Sequence, residues 1–253
     1  EGASWADIAR VAEAGEAQNY FALGDERIET LVYNDTTYNV RLRIADFNKD
    51  NLADGTGKAG ITIVCHTIFK GLKVKATDYN KLYPTGRHNS ISWIDGDLYD
   101  KVKILYNGLP DTLKNVTKNV TKEYNKVTKT GAMGGLTVTL LNVDCECFVP
   151  SVVELGGTHD ASSQNSKAPF GEKYAYYNSY SYGYRSTSRK VYSYDTDIEG
   201  TTGDNVLYWL ARDVTEWQGK FAQSCSSSTK YTDGYVDSTD ETYFHSPVLA
   251  FCI

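Results

Sequence analysis

Near the start of the chain, apolar positions recur at helical spacing: Trp5, Ile8 and then Val11 or Ala12. Ser4 precedes them and Asp7 follows three residues later, the pairing of a capping box, while Gly15 supplies a stop. The pattern predicts a short amphipathic helix over 4–14, and Gly24-Asp25 reads as a turn. The period then changes to two. Residues 29–33 read as a short strand. Tyr38, Val40, Leu42 and Ile44 alternate with Asn39, Arg41 and Arg43, the signature of a half-buried strand, and Asn34-Asp35 between the two runs predicts a hairpin. Residues 46–60 are polar and rich in Gly, a loop. Residues 60–66 are a β-branched run that fits a buried strand.

Residues 70–92 are irregular. Leu98, Val102 and Leu105 predict a helix over 95–106, which Leu109-Pro110-Asp111 interrupts. Leu113, Val116, Val120, Tyr124 and Val127 then follow at spacings of 3, 4, 4 and 3, with Lys and Asn opposite, so a second amphipathic helix is expected there, ended by Gly131, Gly134 and Gly135. Residues 136–143 read as a strand, 147–153 as another, and 156–171 and 195–204 as long polar loops. Short strands are expected at 205–210, around 221–224 and at 247–253. Helices in the first half and short strands with long loops in the second predict an α+β fold with a mainly antiparallel sheet and two or three helices. The 253 residues suit a single domain over 1–253, with 1–25 as an N-terminal helix and arm.

Charge and composition narrow the partners. The formal net charge is −6, which argues against nucleic acid, whose binding needs a basic stripe. The one basic run, Lys114, Lys118, Lys122, Lys126 and Lys129, lies on one face of the expected helix and reads as a solvated surface. No window is long and apolar enough for a membrane-spanning helix. No basic stretch followed by an apolar one marks a signal peptide. Three Asn-x-Thr triplets, at Asn34, Asn115 and Asn119, match a glycosylation pattern by chance.

Reactive motifs are sparse. There is no nucleophile elbow, and Cys65-His66 are strand neighbours whose side chains point to opposite faces. Five Cys, at 65, 145, 147, 225 and 252, leave an odd thiol. Their spacing fits no zinc site, so buried small hydrophobes are expected. Asp46, Asn48 and Asp50 place oxygens at alternate positions as a calcium loop does. The Gly and Glu that an EF-hand requires are replaced by Asn51 and Gly57, so a turn with Asx hydrogen bonds is the reading. No cofactor and no metal are expected.

Tyrosine departs from ordinary usage: 20 Tyr against 8 Phe and a single Met. Eight of those 20 fall within residues 174–194. Tyr and Trp offer large rigid faces, and Ser and Asn offer adaptable hydrogen bonds, the mixture found in recognition surfaces. The candidate contact residues are Tyr176, Tyr177, Tyr180, Tyr182, Tyr184 and Arg185, with Trp209, Arg212 and Trp217 nearby if the strand carrying Arg212 is central. Loop packing or a subunit interface, where the same residue types concentrate, would use the stretch equally well.

Several segments carry a resemblance. Trp5-Ala-Asp-Ile8 leads into 14–25, then come Arg43-Ile-Ala-Asp-Phe-Asn-Lys-Asp50, Lys58-Ala-Gly-Ile-Thr62 and Leu109-Pro110. Phe148-Val-Pro-Ser-Val-Val-Glu-Leu-Gly156, Tyr208-Trp-Leu-Ala-Arg212 and Ser246-Pro-Val-Leu-Ala-Phe-Cys-Ile253 follow. In this order they resemble a domain-of-unknown-function family of tailed-phage virion proteins and surface proteins of gut Firmicutes. The Trp-Leu-Arg element with a closing strand is more loosely similar to the C-type-lectin-like fold, shared by formylglycine-generating enzymes and phage receptor-binding proteins. Two departures stand out: Tyr208 replaces a Trp, and the closing segment lacks an Arg. The resemblance implies a non-enzymatic virion or cell-surface structural protein for decoration, tail or adhesion. It would act within a homo-oligomer or larger assembly and contact neighbouring subunits, a host glycan or a host surface protein. The alternatives it implies are an oxidase of the formylglycine-generating type, with Cys225 and Cys252 as its thiols, and a calcium-dependent lectin.

Overall fold

The computed structural model describes residues 2–68, 90–95, 97–130, 135–151, 153–155, 170–177, 192–193, 208–214, 221–225 and 245–253. Over these residues the protein mixes α and β structure, with mostly antiparallel sheets and few helices. Helix α1 (Trp5–Glu13) carries the expected capping box: Asp7 N–H donates to Ser4 Oγ at 3.1 Å, and Ser4 N–H donates back to Asp7 Oδ2 at 3.3 Å. Strands β1 (Glu26–Tyr33) and β2 (Thr36–Phe47) form the expected hairpin. Asn34 and Asp35 both have positive φ, 47° and 57°, as a two-residue turn matched to the strand twist requires. Strand β3 (Ile61–Cys65) is buried at every position.

The end of the chain folds back onto this first half. Strands β4 (Thr67–Ile68) and β5 (Ser90–Ile91) and helices α2 (Asp97–Asn107) and α3 (Asp111–Lys114) come next. Then follow β6 (Val120–Thr130), β7 (Gly135–Cys145), β8 (Cys147–Phe148), β9 (Tyr192–Ser193), β10 (Tyr208–Val214), β11 (Phe221–Cys225), β12 (His245–Pro247) and β13 (Ala250–Cys252). The largest sheet has the order β1-β2-β3-β13-β8, all antiparallel. Ile253 and Ile61 exchange two backbone hydrogen bonds of 2.9 Å beside β13. Since β3 and β13 are buried along their whole length, both faces of the sheet centre are covered. Helix α2 packs on β1 and β8, burying Leu98, Val102 and Leu105, the three residues whose spacing predicted it. Three smaller sheets have the orders β5-β6-β7, β11-β10-β12 and β4-β9; the β10–β12 and β4–β9 pairs are parallel.

One expected element is overturned. The helix read over 113–127 does not form: α3 ends at Lys114, and β6 pairs with β7 in unbroken register from Val120↔Cys145 to Thr130↔Gly135. β-branched Val120, Thr121, Val127, Thr128 and Thr130 favour the pleated surface, and an eleven-residue partner strand decides the competition. The Lys face dissolves with the helix. Lys114 pairs with Asp111, Lys118 with Glu13 and Lys126 with Asp95, while Lys122 is buried. The strand expected over 147–153 shortens to Cys147–Phe148, and the closing strand divides into β12 and β13.

Helix α1 lies hard against the start of β3. A Cβ added at Gly60 would stand 2.4 Å from the Ala12 carbonyl oxygen, and no side-chain rotation could relieve that contact. Gly60→Ala is therefore expected to destabilise the fold by about 1–3 kcal/mol through displacement of α1. Urea denaturation of the purified variant measures it, and an unchanged midpoint would show that α1 is not pinned at this point.

Candidate functional site

Two adjoining groups of buried polar side chains hold the residues around Tyr174–Tyr177, where the tyrosine-rich stretch begins. The first is ionic and combines two acids and two bases, Asp50, Glu154, Lys122 and Arg212, all buried. Lys122 Nζ, from β6, donates to Asp50 Oδ1, to Glu154 Oε1 at 2.6 Å and to the Tyr174 hydroxyl at 3.0 Å. Arg212, from β10, grips Glu154 with two nitrogens, Nη1 on Oε2 and Nη2 on Oε1, the latter at 2.8 Å. Its remaining donors reach the carbonyls of Glu123, at 2.8 Å, and Val149, at 2.9 Å. Such a planar fork suits a buried carboxylate better than an ammonium would.

Backbone geometry completes the site. The segment after Pro150 turns so that Ser151 N–H donates to Glu154 Oε2 at 2.9 Å and Glu154 N–H donates to Ser151 Oγ at 3.1 Å. Asp50 also accepts from Thr62 Oγ1 at 2.6 Å and from Cys252 Sγ at 3.3 Å, which ties the cluster to β3 and β13. The Lys122 ammonium lies 4.4 Å from the Phe148 ring centroid, and the Arg212 guanidinium 5.2 Å from that of Phe170.

These environments shift protonation strongly. Burial pushes the Glu154 carboxyl up, but the Arg212 and Lys122 charges outweigh it and hold it at about 2. Burial lowers Lys122, and Asp50 and Glu154 reverse that and raise it. The Tyr174 hydroxyl and the Cys252 thiol are driven well above their ordinary values, first by burial and then by the Asp50 charge. Burial likewise raises Cys145 to about 12. At neutral pH Cys145 and Cys252 are thus protonated and poorly nucleophilic. Among the described residues no three His, Cys, Asp or Glu side chains converge as a metal shell. Asp46, expected in a turn with Asx hydrogen bonds, accepts locally from the Phe47 N–H at 2.8 Å and, across the fold, from the Ala175 N–H at 2.9 Å.

The second group is aromatic. Arg43 on β2 bonds Glu26 and donates to the Tyr176 hydroxyl at 2.6 Å. It also lies 3.4 Å from His66 Nδ1. On the other side of the ring, His66 Nε2 lies 3.0 Å from the Tyr177 hydroxyl. Gly24, at φ +88°, lies hard against this group: a Cβ there would stand 2.7 Å from the Tyr176 ring.

The candidate contact residues therefore divide. Tyr177 and Arg212 are buried, Arg212 completely, so neither presents a free face; both are internal anchors. Tyr176 is half-buried between Gly24 and Arg43. Trp209 sits on β10, in register with Ser224 and Ser246. Tyr180, Tyr182, Tyr184, Arg185 and Trp217 lie outside the described residues. Asp50, Lys122, Glu154 and Tyr174 were missed as functional positions. Alternation of Val120, Lys122 and Tyr124 is the one signal that marks Lys122 as inward-facing on a strand. No family model matches the chain, and no curated protein or solved structure matches it either.

Proposed function

We propose that the protein is a non-enzymatic virion or cell-surface structural and recognition protein of C-type-lectin-like architecture, and that its tyrosine-rich stretch contacts a host glycan, a host surface protein or a neighbouring subunit. The observation that carries this reading is the double anchoring of that stretch. Tyr174, Tyr176 and Tyr177 fix its start, and Arg212 fixes the strand that follows it. Tyr174 and Arg212 meet in one ionic cluster around Glu154 and Lys122. Flanks fixed to a rigid base are the common arrangement on which binding segments are carried. The buried charges are spent on one another, as in a scaffold. An oxidase would need an accessible thiolate, and the environment of Cys252 opposes one.

Binding of the purified full chain to bacterial cells and to an array of bacterial and animal glycans tests this. The triple variant Tyr180→Ala/Tyr182→Ala/Tyr184→Ala should lose about tenfold or more in affinity, as loss of interface aromatics does, with an unchanged thermal midpoint. Binding by the triple variant equal to that of the original chain would refute the assignment. Binding that survives excess chelator would remove the calcium-dependent variant of the idea.

A further inference from the structure

Strand β7 is the edge of the β5-β6-β7 sheet, and among the described residues it has no second strand neighbour. It is eleven residues long, which at the rise of an antiparallel strand is about 35 Å. Every second residue of such an edge directs its N–H and C=O away from β6, so a row of donors and acceptors is open to another strand. Natural edges are normally protected by charge, proline or a bulge. Residues 135–143, Gly-Leu-Thr-Val-Thr-Leu-Leu-Asn-Val, contain no charged residue and no proline, and the register with β6 contains no bulge. Two adjacent leucines at its centre are exposed, Leu140 at 40% and Leu141 at 38%. Leucines this open on opposite faces of an unprotected edge have the character of a contact surface.

We propose that β7 pairs antiparallel with β7 of a second copy of this chain, joining two three-stranded sheets into one six-stranded sheet across a two-fold axis. The sequence of the strand selects this occupant, because it is complementary to itself. A two-fold axis perpendicular to the sheet keeps the faces in register, so pairs form between residues of the same parity. Centred on Leu140, the pairing sets Leu140 against its own copy, Val138 against Asn142, Leu141 against Thr139 and Thr137 against Val143. The one charged residue on the strand before Cys145, Asp144, then faces Leu136 and not another carboxylate. This inference does not depend on what the tyrosine-rich stretch binds.

Sedimentation velocity of the full chain from about 1 to about 200 µM covers the range that a small edge-to-edge interface needs. A dimer is expected, and Leu140→Lys should weaken it about tenfold or more by placing like charges opposite each other. Circular dichroism and the thermal midpoint, taken at a concentration where both proteins are monomeric, should stay unchanged, since the side chain is exposed. Thr139→Lys, on the other face of the strand, should act in the same direction. Leu140→Cys should form an intermolecular disulfide under mild oxidation, and Leu136→Cys should not, because only position 140 faces itself. A wild-type chain that stays monomeric throughout overturns the proposal, including the case in which the edge receives a strand of a different protein. A dimer indifferent to both lysine variants overturns it too.

Discussion

Arg212→Met is expected to lower stability by about 3–5 kcal/mol, the cost of breaking a buried ion pair by removing one partner. Methionine fills much of the volume, so the loss is electrostatic and not a cavity effect. Without the guanidinium, Glu154 keeps the Ser151 N–H and one cation, Lys122, which is shared with Asp50. The carbonyls of Glu123 and Val149 lose their donors as well. Arg212→Lys should recover little, since one ammonium cannot reach two carboxylate oxygens and two carbonyls in fork geometry. Urea titration followed by fluorescence and circular dichroism measures both variants. A loss below about 1 kcal/mol for Arg212→Met would mean that the cluster is hydrated and that its buried description is wrong.

Local structure was legible from the sequence wherever a single segment carried its own signals. The Ser4/Asp7 box, the Asn34-Asp35 turn and the Leu98/Val102/Leu105 face each depend on neighbours in the chain, and each appears as expected. The alternation over 38–44 gives the strand, but its polar side is not open throughout, since Arg43 is buried along with Leu42 and Ile44. Residues 113–127 were misread because valine and tyrosine at spacings of three and four satisfy helical periodicity while their branching favours a strand. The deciding partner, β7, begins at Gly135, outside the segment whose spacing suggests a helix. The ionic cluster was illegible for a stronger reason. Lys122 and Asp50 are 72 residues apart, and Arg212 and Glu154 are 58 apart. No spacing rule reaches across such distances. Asp50, Thr62, Ser151, Glu154, Arg212 and Cys252 nonetheless converge there from five separate segments of the chain. These segments trace an internal network, and the tyrosine excess separates into anchors at 174–177 and the stretch beyond.

Glu154→Gln should also cost about 3–5 kcal/mol at neutral pH, because Arg212 then loses the carboxylate it grips and Lys122 keeps Asp50 alone of its two carboxylates. Its pH dependence distinguishes charge from packing. The folded-state Glu154 carboxyl titrates at about 2, against an ordinary value of 4.5. A carboxyl whose folded value is depressed contributes stability that is fully present above the unfolded value and is lost as pH falls through the folded one. The gap in unfolding free energy between the original chain and Glu154→Gln should therefore be constant above about pH 5 and narrow from about 4.5 down toward 2. Near pH 2 the protonated acid and the amide become near-equivalent neutral groups of the same shape. Urea midpoints at half-unit pH steps trace the gap. A gap that stays constant through this window would show that Glu154 acts through shape and hydrogen bonds alone, and that its charge does not hold β6 and β10 to the segment after Pro150.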